Sequence, residues 1–140
     1  MPGEHTFPVE VLTPEGEVFS GEVVQVSTRT VTGVVGILAN HAPMLAALKP
    51  TELRLHRSES DIETYAQSHG MMQVFGNTAQ LLVEEAIPPG DLDTATLKDQ
   101  LADAEQRLSE AEEGSGAERT AQKDKERCEA FLEIAGSSAG

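Results

Sequence analysis

Tryptophan is absent from the 140 residues, tyrosine occurs once, and hydrophobic residues make up 39%, a little low for a globular chain. The length suits one ordinary domain, or a small domain with an appendage. One cysteine, Cys128, excludes an internal disulfide and fits a reducing compartment. Cations are scarce: 10 basic residues stand against 24 acidic ones, a formal net charge of −14. Such a balance argues against a nucleic-acid backbone as partner, because phosphates need Lys and Arg to displace their counterions. It disfavours adsorption to anionic lipid for the same reason. A basic protein partner, or plain solubility, remains. Long apolar runs are missing too. No window approaches the roughly 20 apolar residues of a membrane span, and residues 1–5 carry neither the basic region and apolar run of a secretory signal nor the arginines of a transit peptide.

Catalytic constellations are equally missing. His5, His41, His56 and His69 show no metal-ligand spacing, and a single Cys cannot build a zinc ribbon. There is no phosphate-binding Gly-x-x-x-x-Gly-Lys loop and no Gly-x-Ser-x-Gly elbow. Glu84 and Glu85, read as neighbours at the end of a strand, point to opposite faces and do not converge. No catalytic residue, metal site or cofactor is expected, and an enzyme acting alone is disfavoured.

What is present changes character at Pro88-Pro89-Gly90. Before it lie most of the valines, all four histidines and the tyrosine. After it the composition is that of helices. Acidity does not mark the boundary, since residues 1–90 hold four basic and eleven acidic residues and residues 91–140 hold six and thirteen. The first part predicts short strands: alternation at 7–12 and 23–31, then 52–57, 62–67, 71–75 and 80–84. Turns are expected at Thr13-Pro14-Glu15-Gly16, Ser58-Glu59-Ser60-Asp61 and Gly76-Asn77-Thr78. Strands of this length suggest a β-sandwich or barrel of about 85 residues.

The second part predicts two helices, about 93–113 and 117–135, with Asp91 or Asp93 capping the first. Leu97, Leu101, Ala104, Leu108 and Ala111 recur at 4, 3, 4, 3 spacing. Beyond Gly114-Ser115-Gly116, residues Ala117, Ala121, Cys128, Phe131 and Ala135 continue that seam, with Asp124 inside it. Residues 136–140 read as a frayed tail. The expected class is therefore α+β: a β-sandwich domain at 1–88, followed by an antiparallel helical hairpin at 89–140. An alanine-rich seam buries little per residue against an ordering cost of roughly 1–2 kcal/mol each, so the hairpin needs a neighbour. With two neighbours available it becomes a switch; with one it is a buttress.

One stretch stands out, VVGILANHAPMLAALKP at residues 34–50. Two apolar runs flank a polar corner, with Gly36 where backbones come close. Pro43 forces an extended Ala42 and withholds a ladder donor, so the chain bends between His41 and Pro43. The histidine ties the turn, faces water, or meets a partner.

Gly36-Ile37-Leu38-x-x-His41-Ala42-Pro43-Met44-Leu45-x-x-Leu48-Lys49-Pro50 resembles the signature of the epsilon subunits of F-type ATP synthases, the delta subunit of mitochondria. Residues 11–22 (VLTPEGEVFSGE), Gly70-Met71-Met72-Gln73-Val74, Leu82-Val83-Glu84-Glu85-Ala86-Ile87 and Asp91-Leu92-Asp93 extend the likeness over nearly the whole chain, in order. The resemblance implies a sandwich of about ten strands with a C-terminal helical hairpin. It implies a non-catalytic central-stalk subunit that couples proton transport to ATP synthesis and restrains ATP hydrolysis through its helices. The implied partners are the gamma subunit, the c-ring and the alpha/beta catalytic head, with no nucleic acid and no direct lipid insertion. The implied place is the cytoplasmic side of the bacterial cell membrane, peripherally held. By this likeness His41, Ala42, Pro43 and Met44 face gamma; Thr32, Gly33 and Val34 face the c-ring; and Arg119, Lys123, Lys125 and Arg127 reach the head. Val34 stands where the family often has an acidic residue, and His69 and Thr51 where it usually has glycine. Some relatives bind ATP through Ile/Leu-Asp-x-x-Arg-Ala. Here Leu92 and Asp93 are present, but Thr96 replaces the arginine and Leu97 the alanine. Triphosphate would meet eight acidic residues between Asp91 and Glu113 against Lys98 and Arg107, so tight ATP binding is not expected. Outside this resemblance, the same reading admits a β-sandwich adaptor or a coiled-coil chaperone.

Overall fold

The computed structural model describes residues 5–139; the leader-free reading of residues 1–4 and the final residue of the tail lie outside the described residues. The chain divides into two compact units, Met1–Ile87 and Pro88–Gly140.

The first unit holds ten strands: β1 (Phe7–Thr13), β2 (Gly16–Val23), β3 (Gln25–Thr30), β4 (Gly33–Leu38), β5 (Met44–Leu48), β6 (Thr51–His56), β7 (Ile62–Gln67), β8 (Gly70–Phe75), β9 (Thr78–Val83) and β10 (Ala86–Ile87). Hydrogen bonding runs in the order β10-β7-β6-β3-β5-β8-β9-β1-β2, with β4 on the side of β3. A single pair, Thr30↔Leu48, links β3 to β5. The path thus falls into two leaves, and the inward residues of both meet in one core. Period-2 alternation decides which residues those are. Phe7, Val9 and Val11 of β1 are buried, as are Leu53 and Leu55 of β6, Met72 and Val74 of β8, and Leu81 and Val83 of β9. All pairings are antiparallel except β1 with β9, where Val9 lies beside Ala79 and Val11 beside Leu81.

Three expectations for this unit need correction. The alternating run 23–31 is not one strand: Val23 closes β2 and β3 begins at Gln25. β9 ends at Val83, so Glu84 and Glu85 are bend residues and not strand neighbours. Gly36 is not the close backbone approach, since a Cβ there would meet only the Gln25 amide, Nε2 at 3.0 Å. The close approach is at Gly70, where a Cβ would run into the Leu82 carbonyl oxygen and sit 2.7 Å from Val83 Cα.

The second unit opens with a 3-10 turn over Pro89–Asp91, then α1 (Thr94–Glu110) and α2 (Gly116–Ala139). α1 stops three residues short of the expected 113, because Ala111 turns extended. α2 runs past the expected 135 through residues 136–139, so the frayed tail over those residues is corrected to helix. Gly114, at φ 80, takes the left-handed conformation the link requires. The seam holds for most of its length, with Leu97 and Ala104 of α1 and Ala121, Cys128, Phe131 and Ala135 of α2 buried, but Ala117 at the start of α2 is exposed and lies off it.

Candidate functional site

The corner after β4 is built by local geometry. Asn40 sits at φ 63, an unfavourable conformation that asparagine tolerates better than most residues. His41 N–H donates to the Leu38 carbonyl (3.3 Å), closing the turn. Asn40 N–H donates to Asn77 Oδ1 at 2.6 Å, tying this turn to the one between β8 and β9. The His41 ring lies over its own backbone, Nδ1 donating to the Ala42 carbonyl at 2.7 Å. His41, Ala42 and Pro43 are nonetheless exposed, and Met44 is half-buried.

Exposure around this corner is apolar. Leu38 is 58% exposed, Leu45 70% and Phe75 67%. Leu45 lies opposite Gln73 and Met44 opposite Val74, so β5 and β8 present these side chains together. Pro43, Leu45 and Phe75 line one open groove of about 370 Å³. Leu38, Leu45 and Phe75 carry no partner role in the sequence reading. The signal available was that Leu45 and Phe75 fall on the outward phase of their strands.

The opposite end of β4 is a second surface. Val31 and Thr32 form the two-residue tip between β3 and β4, and Gly33 follows at φ 132. Thr30 Oγ1 shapes it, accepting from Thr32 N–H (3.2 Å) and donating to the Gly33 carbonyl (3.2 Å). Val31 is 60% and Val34 68% exposed. Thr32 and Gly33 are exposed beside them. Six residues of β4 separate tip from corner, about 20 Å at strand rise.

In the second unit Asp93 is the cap of α1. Its carboxylate accepts from Thr96 N–H at 3.2 Å and from the Thr96 hydroxyl at 2.9 Å. The backbone bond, then the hydroxyl bond, hold the Asp93 carboxyl below its ordinary value. Asp93 and Thr96 thus satisfy each other, with Leu92 half-buried before them. Arg107 bridges Asp103 and Asp124, each at 2.8 Å, and these carboxylates hold its guanidinium above its usual value. The four predicted head-contact cations do not act alike. Arg119 Nη1 donates to the Gly114 carbonyl at 2.9 Å. Arg127 Nη1 donates to Gln100 Oε1 at 3.1 Å, and its guanidinium lies 4.9 Å from the Phe131 ring centre. Lys123 is exposed and Lys125 half-buried. Among the described residues no group of three or more His, Cys, Asp or Glu is gathered as a metal would need, and no helix is long and apolar enough to cross a membrane.

The family described as ATP synthase, Delta/Epsilon chain, beta-sandwich domain matches residues 6–89. The ATP synthase epsilon chain of Persephonella marina is 40% identical over 131 residues, covering 93% of this chain and 96% of that one. The epsilon chain of Brevibacillus brevis is 41% identical over 103 residues, covering 73% and 77%. Among solved structures, a chain in the cryo-EM structure of the Euglena gracilis mitochondrial ATP synthase, OSCP/F1/c-ring in rotational state 1, aligns with a TM-score of 0.72 at 19% identity. It covers 100% of this chain and 88% of its own length, a likeness of fold. Sandwich, corner signature and full-length relatives together place the chain in the family of ATP synthase epsilon chains, subunits without an active site of their own.

Proposed function

We propose that the chain is the central-stalk subunit that joins gamma to the c-ring, and that its hairpin restrains ATP hydrolysis. The observation that carries the reading is the uncovered apolar corner. An acidic chain that leaves Leu38, Leu45 and Phe75 mostly exposed around a rigidly built turn has a partner for that surface. His41, Ala42, Pro43 and Met44 with Leu45 and Phe75 take gamma. The tip of Thr32, Gly33 and Val34 takes the c-ring. Val34 supplies an apolar contact where relatives often offer a carboxylate. Two surfaces about 20 Å apart on one strand suit a static coupling element. Torque passes through packing and needs no chemistry in the subunit. The membrane association is peripheral, through the ring, on the cytoplasmic face. The second helix supplies Arg119, Lys123, Lys125 and Arg127 to acidic segments of the alpha/beta head.

The test is capture of gamma by the full chain. Leu45→Glu with Phe75→Glu places two carboxylates on an outward face, so melting should stay within about 2 °C of the parent. Gamma retained on the tagged variant should fall at least tenfold. Equal capture by parent and variant would move the gamma surface elsewhere. Capture of no gamma by the parent would favour an adaptor unrelated to rotary motors.

A further inference from the structure

The hairpin holds its own cations. Of the four basic residues assigned above to the head, Arg119 is bound to the interhelical link and Arg127 is clasped between Gln100 of α1 and the Phe131 ring. At the middle of the hairpin a charge stands where the spacing calls for an apolar residue. Asp124 occupies the seam between Ala121 and Cys128, both of them buried. Its Oδ2 accepts from Arg107 Nη2 across the interface at 2.8 Å. Arg107 Nε meanwhile donates to Asp103 Oδ2, one turn back on its own helix, also at 2.8 Å.

The arrangement is lopsided. If the helices part, Arg107 keeps Asp103, and Asp124 passes from an ion pair into water. Only the interhelical half of the cluster is lost. The side chains of Arg107 and Asp124 are 41% and 45% exposed, so solvent and salt screen the pair. An exposed pair biases an equilibrium only a few-fold. Such a modest bias suits an element that must populate two states, because a strong lock would hold one. A polar residue in an apolar seam also fixes register, since a slipped hairpin would bury the Asp124 carboxylate without its arginine.

We propose that Arg107–Asp124 is an ionic latch that keeps the hairpin closed and Arg127 on Gln100, so that parting of the helices is the step that frees Arg127 for the catalytic head. The latch rests on the regulatory reading of the helices given above.

The experiment measures the distance between probes on the exposed positions Glu105 and Gln122 in the full chain, and ATP hydrolysis by the assembled synthase. Arg107→Gln or Asp124→Asn should each raise the open-to-closed ratio roughly threefold at low salt, and the double variant should go no further than either alone. Raising salt to about 0.5 M should open the unaltered chain by the same factor and leave the double variant unmoved. Hydrolysis should fall as the open fraction rises. Unchanged distances in every variant, or an unaltered chain that ignores salt, would overturn the latch. Distances that move as expected while hydrolysis stays constant would support the latch and overturn the regulatory reading.

Discussion

Gln67 and Thr28 carry more of the sandwich than their polarity suggests. Gln67 is wholly buried, with its amide donating to the Lys49 carbonyl at 2.8 Å and its carbonyl accepting from the Thr28 hydroxyl at 2.6 Å. The bridge joins the interior of β3, the end of β7 and the residue that follows β5. Gln67→Leu keeps the volume but removes one donor and one acceptor, and should cost about 2–4 kcal/mol in urea unfolding with an unchanged slope. Adding Thr28→Val should recover part of the loss, because removing both partners costs less than stranding one. A double variant no more stable than Gln67→Leu would deny the coupling. Thr28 was readable as an inward residue, because Val24, Val26 and Thr28 share a phase. Its partner 39 positions away was not, since side-chain pairing across strands leaves no periodicity in the chain. Gly70 was hidden for the same reason: what crowds it is the Leu82–Val83 backbone of a strand paired to it only in the fold.

At the scale of elements, alternation was legible wherever large residues filled the inward phase, as in β1, β6 and β8. β2 failed to announce itself because its inward phase reads Phe19, Gly21, Val23. The Phe19 ring lies over Gly21, its Cζ 3.4 Å from where a Cβ would stand, and so supplies the bulk the glycine lacks. The helices were legible from their seam, and the start of α1 from its cap. Because the folded carboxyl of Asp93 titrates below its unfolded value, its stabilisation is full above about pH 4 and is lost as acid protonates the folded form. Asp93→Ala should lower hairpin melting by a few degrees at pH 7, and the difference from the parent should shrink as the pH is taken below about 4. Millimolar ATP should not raise the melting temperature of the full chain. A rise of several degrees would mean that Lys98, Arg107 and their neighbours hold triphosphate after all.

For the whole molecule, the division of labour follows the break at Pro88. Both sides are acidic to the same degree, yet one is a rigid bonded sheet and the other a helix pair with an alanine-rich seam. Deleting residues 91–140 should leave gamma capture intact and raise ATP hydrolysis of the assembled synthase several-fold; unchanged hydrolysis would make the helices a buttress. The domain order and the corner could be read from residue types alone. The outward Leu45 and Phe75 could not be assigned a partner that way, because which face of a strand stays uncovered is decided by how the leaves pack, not by the strand itself. The link between the helices has one more consequence. The 17 residues of α1 and 24 of α2 are rods of about 26 Å and 36 Å, joined end to end by a pivot at Gly114. Were that pivot to straighten fully, the far tip of α2 would sweep an arc ending on the order of 60 Å from the base of α1. A bias of a few-fold at one arginine would then be geared into a displacement of tens of ångströms.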